Sequence, residues 1–253
     1  MDKSSRIPTN LRTLLILEIV GRSERPLTAT EINAELDLPK QTVHRLVATL
    51  EREGFLIREQ GSSRFRPSRR ARLIGVGLLN ASRFHISRHQ ILREVSEQLK
   101  ESVNFVIPEE TGMHYLDRVE TDWPFRIQLP RGSNVPFHCT ASGKTFMASL
   151  TKSARQKFVG SLKLEGLTAN TSTDPQSLLE ELAICAKRGY ALDNEEFIDE
   201  MIAVAVPVTD DQGRFVAAIA THGPKQRLSI EQAEENRFVL MDAAKKLTDA
   251  IFS

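Results

Sequence analysis

Cysteine is nearly absent from this chain of 253 residues: Cys139 and Cys185 are the only two. So few thiols exclude a disulfide framework and a cysteine-clustered metal site, and they fit a reducing, cytoplasmic compartment. No apolar run is long enough to span a bilayer, and no signal-peptide pattern opens the chain. A membrane partner is therefore not expected. There is no internal repeat and no low-complexity tract. An excess of one charge is also missing, since 34 Lys+Arg face 33 Asp+Glu. What remains is an ordinary globular composition, 40% hydrophobic, long enough for one small domain and one of common size.

The balanced charge hides a polarity. Up to Arg72 there are 14 basic and 9 acidic residues, a balance of +5; beyond it 20 basic and 24 acidic residues give −4. A basic module joined to a mildly acidic one predicts that only the first meets a polyanion.

Residues 28 to 54 explain the basic part. Thr28 and Glu31 have capping-box spacing, Ile32 and Leu36 share a face, and Asp37-Leu38-Pro39 ends a short helix. A second helix follows and ends at Gly54, with Val43, Leu46, Val47 and Leu50 on one buried stripe. Lys40, Gln41, Thr42, His44, Arg45 and Thr49 are left outside, the residue types that contact phosphates and base edges. A helix-turn-helix reader and a plain helical hairpin with a solvated face fit this segment equally. The flanks separate them. Leu11, Leu14, Leu15 and Ile19 predict a preceding helix ending at Gly21. After Gly54, residues 55–59 and 64–66 are β-prone runs around Gln60-Gly61-Ser62-Ser63, a hairpin with Arg58, Arg64 and Arg66 placed for phosphates or a minor groove. Three helices and such a hairpin describe a winged helix-turn-helix.

The expected organisation is a DNA-binding domain over 1–68, a linker helix over 69–86 and a second domain over 87–253. Leu73, Ile74, Val76, Leu78 and Leu79 make the linker apolar enough to imply a partner surface, either the same helix of a second chain or the chain's own domain. His85 and His89 lie one helical turn apart, but no third metal ligand stands at diagnostic spacing. In the second domain, helices are expected at 88–101, 140–149, 151–159 and 174–188, the last opened by Asp174-Pro175. Strands are expected at 103–107, 112–119, 125–129, 201–208 and 214–221, the last two joined through Asp210-Asp211-Gln212-Gly213. Ser229 and Gln232 open a closing helix. This order indicates an α+β fold on a largely antiparallel sheet.

Several short segments resemble the IclR-type bacterial transcription regulators in order and spacing: the winged module, Tyr115 to Glu120, Val135 to Lys144, Gly189 to Glu196, and Val204 to Val208. The resemblance implies a GAF-like C-terminal effector domain and a homodimer or tetramer bound to double-stranded operator DNA. It implies a small organic-acid or aromatic effector held near Ala141, Ser142, Asp193 and Ala203, with no cofactor. The residues give this a physical basis. A helix starting near Thr140-Ala141-Ser142-Gly143 offers free N–H groups and a positive dipole end to a carboxylate. Ala141 and Gly143 would admit the ligand to the backbone, Thr140 and Ser142 would add hydroxyls, and Ile127, Leu129 and Val135 would be apolar walls. Thr140 and Ser142 also fit plain helix capping. Glu200 stands where the family often has glycine, which would alter a turn or face the pocket with negative charge. Arg126 or Arg131 could pair with a ligand acid instead.

Catalytic readings fare worse. Gly143-Lys144-Thr145 ends like a phosphate-binding loop, but the position of its first glycine holds His138. His138 beside Cys139 lacks an orienting partner, and Asp193, Glu195 and Glu196 suit a solvated strand end better than a metal site. The chain is thus expected to be a DNA-binding regulator, in all expectation a repressor, rather than an enzyme. The rival reading is a small-molecule hydrolase or transferase with an N-terminal protein-interaction module.

Overall fold

The computed structural model describes residues 7–252 except 24, 82–83, 125, 128 and 130–131. The chain divides into two compact units, residues 1–82 and 83–253.

In the first unit the elements are α1 (Arg12–Gly21), β1 (Leu27–Thr28), α2 (Ala29–Leu36), α3 (Lys40–Arg52), β2 (Leu56–Arg58), β3 (Arg64–Pro67) and α4 (Arg69–Ala81). The capping box at Thr28 forms as its spacing predicts: Glu31 N–H donates to the Thr28 hydroxyl, and Thr28 N–H donates to Glu31 Oε2. The turn between α2 and α3 is pinned by Asn33, whose amide group both donates to and accepts from the Leu38 backbone. Val43, Val47 and Leu50 are buried with Ile16, Ile32 and Phe65, and Leu46 packs on them. The wing has a third strand that periodicity misses, because β1 is only two residues long and pairs with β3 across the chain.

The second unit holds α5 (Phe84–Leu99), β4 (Ser102–Pro108), β5 (Met113–Val119), β6 (Asn134–Val135), α6 (Ala141–Ser149), α7 (Lys152–Ser161), α8 (Pro175–Arg188), β7 (Ala191–Asn194), β8 (Met201–Thr209), β9 (Phe215–Pro224) and α9 (Ile230–Phe252). Six antiparallel strands run in the order β6-β5-β4-β9-β8-β7. Helices α6 and α8 join the core on the face carrying Val106, Tyr115 and Ala191. Helix α5 packs on β4 and β5, and α9 on α5 and β8.

Two expectations differ. The described residues of 125–129 form no strand; the Ile127 and Leu129 carbonyls accept hydrogen bonds from the buried Arg118 guanidinium instead of from a neighbouring strand. The expected linker helix is two helices, since α4 ends at Ala81 and α5 starts at Phe84. Phe84 is buried edge-on against Phe105, 6.1 Å between centroids, which ties the start of α5 to the sheet.

Candidate nucleic-acid interface and ligand cavity

The amphipathic division of α3 is as clean in space as in sequence. Lys40, Gln41, His44 and Arg45 are exposed and Thr42 is half-buried, opposite Val43, Val47 and Leu50. Among the described residues none of Lys40, His44, Arg45 and Arg66 has an ion-pair partner. They present unspent donors to solvent on one small unit. The Thr49 hydroxyl is used locally, donating to the Arg45 carbonyl at 2.9 Å.

Two of the three wing arginines are engaged within the unit. Arg58 forks onto Glu51, with both N–H···O distances 2.9 Å, and its guanidinium lies 4.5 Å from the Phe65 ring centre. Arg64 Nη1 donates to the Pro26 carbonyl at 3.0 Å and to Glu31 at 2.9 Å. These bonds hold the wing to the helices. Arg66 is exposed on β3, and only it keeps the free character expected of all three. Spacing could not separate them, because their partners lie 7 and 33 residues away.

In the second unit a cavity of about 20 Å³ lies under the N-terminus of α6, among Thr140, Ala141, Ser142, Asp193 and Ala203. That is room for roughly one water molecule. The Thr140 hydroxyl is committed to capping: it accepts from Gly143 N–H at 3.1 Å and donates to the Pro136 carbonyl at 2.7 Å. The N–H groups of Ala141 and Ser142 begin the helix and have no acceptor within it. Strand pairing sets Asp193, Ala203 and His222 in one row across β7, β8 and β9. The next row of that face carries Ala191, Ala205, Ala220 and Asn104.

Other expected lining residues do other work. A Cβ on Gly143 would come within 2.2 Å of the Phe137 carbonyl oxygen. Its missing side chain admits the preceding loop, not a ligand, and Gly143 is not in the cavity wall. Val135 is buried in the core, Leu129 packs on that core, and Ile127 is half-buried; none lines the cavity. Glu200 is exposed, accepts from Gln226 at 2.8 Å and does not face the cavity. Its φ of 61° explains why glycine suits that turn. Arg126 pairs with Glu120 at 3.1 Å, and Arg131 lies outside the described residues.

Electrostatics sharpen the cavity. Asp193 Oδ1 accepts from the N–H groups of Glu196 and Phe197, at 2.8 and 3.3 Å, while buried Oδ2 has no partner. Burial, then the nearby Glu196, pushes this carboxyl up to about 7. His222 is fully buried; burial, then the Arg118 charge, brings it down to about 4, so it is neutral. Beside the cavity, fully buried Lys144 reaches Glu181 at 2.5 Å and Glu196 at 2.6 Å. Burial opposes its charge, but the two carboxylates outweigh that and hold its pKa above the usual lysine value. Sequence reasoning missed Asn104 and His222 as wall residues and the ion pairing of Lys144. For Asn104 and His222 the signal was a large polar side chain within a mostly apolar strand.

Thiol chemistry finds no footing. Burial pushes Cys139 up to about 12, so it stays a thiol, and His138 Nε2 faces the Glu165 carbonyl at 2.9 Å. Histidines 85 and 89 form no metal cluster among the described residues; His89 lies 3.2 Å from Asp117. No helix among the described residues is long and apolar enough to cross a membrane.

Comparison with known proteins gives both halves the same ancestry. The profile of the IclR helix-turn-helix domain matches residues 11–60, and that of the bacterial transcriptional regulator IclR C-terminal domain matches residues 79–249. The probable transcriptional regulator SauR of Cupriavidus necator is 39% identical over 222 residues, 88% of each chain. The transcriptional repressor IclR of Escherichia coli is 28% identical over 247 residues, covering 97% of this chain and 90% of its own. The crystal structure of Thermotoga maritima IclR superposes with a TM-score of 0.64 at 25% identity, over 97% of this chain and 99% of that one. An exposed recognition helix, a three-stranded wing and a six-stranded sheet domain with a buried polar cavity therefore belong, in this chain, to a member of the IclR family of bacterial transcriptional regulators.

Proposed function

We propose that this regulator is an effector-controlled repressor working in the cytoplasm as a homodimer or tetramer. Residues 1–68 bind double-stranded operator DNA, 87–253 hold a small organic-acid or aromatic effector, and 69–86 connect them. Lys40, Gln41, Thr42, His44 and Arg45 enter the major groove, and Arg66 holds a phosphate or the minor groove. Arg58 and Arg64 act chiefly by fixing the wing. The observation that carries this reading is the exposed, unpaired cationic face of α3 opposite a fully packed stripe. A repressor among the relatives supports the sign of control.

Half-buried and exposed apolar side chains support the assembly. Leu73, Ile74 and Leu78 on α4 are 50%, 46% and 67% exposed, and Leu14 on α1 is 60% exposed, more than an unpartnered pair of helices needs. Two modules in a dimer would read half-sites about one helical turn, roughly 34 Å, or a multiple of it apart. The effector shifts operator affinity by binding one arrangement of the assembly better than the other. Ser142, Ala141, Asp193 and Ala203 contact it, and the cavity opens to take anything larger than a water.

Gel-shift titration with DNA upstream of the chain's own gene tests this reading. Retardation should weaken with salt and be lost in Arg45→Ala. Absence of retardation at low salt, or indifference to Arg45→Ala, would overturn it.

A further inference from the structure

The cavity under α6 has room for roughly one water, so anything larger enters only where part of the wall gives way. Most of that wall is fixed. Its floor is the sheet: Asn104 on β4, Asp193 on β7, Ala203 on β8 and His222 on β9 each sit in a paired ladder. Its roof is the start of α6, held by the Thr140 cap and by the close fit of Gly143 on the Phe137 backbone. Of the described residues that line it, Phe197 is the one on neither a strand nor the start of α6.

Phe197 lies in the link between β7 and β8, residues 195–200. The first two residues of that link are pinned. Thr168 and Thr171 donate their hydroxyls to the Glu195 and Glu196 carbonyls, each at 2.6 Å, and Lys144 holds the Glu196 carboxylate at 2.6 Å. From Phe197 onward the hold weakens. The Phe197 N–H reaches Asp193 Oδ1 at 3.3 Å, and its half-buried ring rests on the edge of the core. Asp199 and Glu200 are exposed. The far end is fastened from outside. Glu195 accepts from Lys225 Nζ at 2.5 Å and from Glu200 N–H at 3.1 Å, and Lys225 N–H donates to the Glu200 carbonyl at 2.8 Å. An exposed ion pair of this kind is a weak fastening. Glu200, with φ 61°, is a left-handed residue bearing a side chain, so the closed link carries backbone strain that opening releases.

We propose that Phe197 is the door of this cavity: its ring swings out with residues 197–200 to admit a ligand, and its bulk sets the size that passes. Glu196 is the fixed post, and the contacts among Lys225, Glu195 and Glu200 are the latch. Such an opening is local, in a link with few buried contacts, and leaves the sheet and α6 intact. The inference rests on the effector-binding reading for what comes through the door. Entry itself is measured without an effector, so the door can fail while that reading stands.

The test uses the full-length protein carrying Ser142→Cys, which puts a thiol in the cavity wall at a helix start, where the thiolate is favoured. Its labelling by methyl and by benzyl methanethiosulfonate is followed by peptide mass spectrometry. Cys185, buried in the core outside the cavity wall, reports global unfolding. Phe197→Ala should raise the rate at position 142 about tenfold or more, and further for the benzyl reagent than for the methyl one, with Cys185 unlabelled. Tyr115→Leu enlarges the same cavity from a paired strand and should change the rate less than about twofold. Lys225→Met leaves the cavity untouched and should raise the rate about two- to fivefold. Equal rates in Phe197→Ala and Tyr115→Leu, no extra gain for the benzyl reagent, or an unchanged rate in Lys225→Met overturns the inference. Should a cavity variant unfold, seen as labelling of Cys185, Lys225→Met decides alone.

Discussion

Arg64 of the wing donates to Glu31 at the start of α2, 2.9 Å across 33 residues of sequence. The same carboxylate closes the capping box with Thr28 and pairs with Arg25. One acidic side chain thus joins a helix start, a loop and the wing. Its backbone bond from Thr28, then the two arginines and the Thr28 hydroxyl, bring Glu31 down to about 2.

Glu31→Gln should therefore flatten part of the acid limb of stability. A carboxylate with a depressed folded pKa stabilises fully above its unfolded value near 4.5 and loses that contribution as pH falls towards about 2. Thermal unfolding between pH 5 and pH 2 should show wild type losing more than the variant. Equal losses would remove Glu31 from this role. Thr28→Ala, which removes the cap, should cost about 1 kcal/mol at neutral pH.

The wing arginines should divide by phenotype. Arg66→Ala should weaken binding to all DNA sequences and reduce the salt slope by about one unit, with the melting temperature unchanged. Arg58→Ala should lower the melting temperature, because it unmakes the fork on Glu51. Salt-dependent gel shifts and thermal melts of both variants check this.

Lys144→Met should be among the most damaging single changes. It leaves Glu196 buried and Glu181 half-buried without their cation. Removing one partner of a buried ion pair costs about 3–5 kcal/mol. Denaturant unfolding measures it; a loss below about 1 kcal/mol would mean the two carboxylates are compensated elsewhere.

Asp193 should make the second unit less stable as pH rises. Its carboxyl is pushed up to about 7 from the ordinary aspartate value of 3.8, so folding takes up a proton between those values. The native state is favoured below about 3.8 and loses this advantage progressively until pH 7. Glu196, Lys144, Tyr115, Cys139 and neutral His222 are the titratable groups around it. Asp193→Asn should melt higher than wild type at pH 8 and lose that margin by pH 4. A constant margin would assign the effect to packing.

Glu200→Gly should stabilise the protein by roughly 0.5–1 kcal/mol, since a left-handed residue with a side chain is strained. Loss of the Gln226 contact works against it only weakly, because both groups are exposed. The melting temperature reads the sign.

Local rules made much of this fold legible. Capping residues at Thr28, Thr140 and Asp174 each start a helix where they stand, and Gly54 and Gly189 each adopt the left-handed conformation that follows one. The stripe of α3 needed only period. Short edge elements escaped. Strands β1 and β6 are two residues long and exist because a neighbouring strand offers unpaired backbone groups. The expected strand at 125–129 had apolar residues, but its described residues form no strand, and Arg118 takes the Ile127 and Leu129 carbonyls. The cavity was half legible. Ala141, Ser142, Asp193 and Ala203 came through resemblance and the helix start. His222 and Asn104 did not, because their meaning lies in a cross-strand neighbourhood joining residues 118 positions apart. Gly143 was misread for the opposite reason: a glycine before a pocket suggests ligand approach, whereas this one makes room for Phe137.

That contact between Gly143 and the Phe137 backbone, followed at once by the buried Lys144, leaves α6 almost no latitude to move or to mutate near its start. Ala203 and Ala220 on the facing strands pack with Ala141 and border the small cavity beneath it. Under the proposed effector role, each methyl added at these two strand positions would reshape the cavity, while the start of α6 stays fixed.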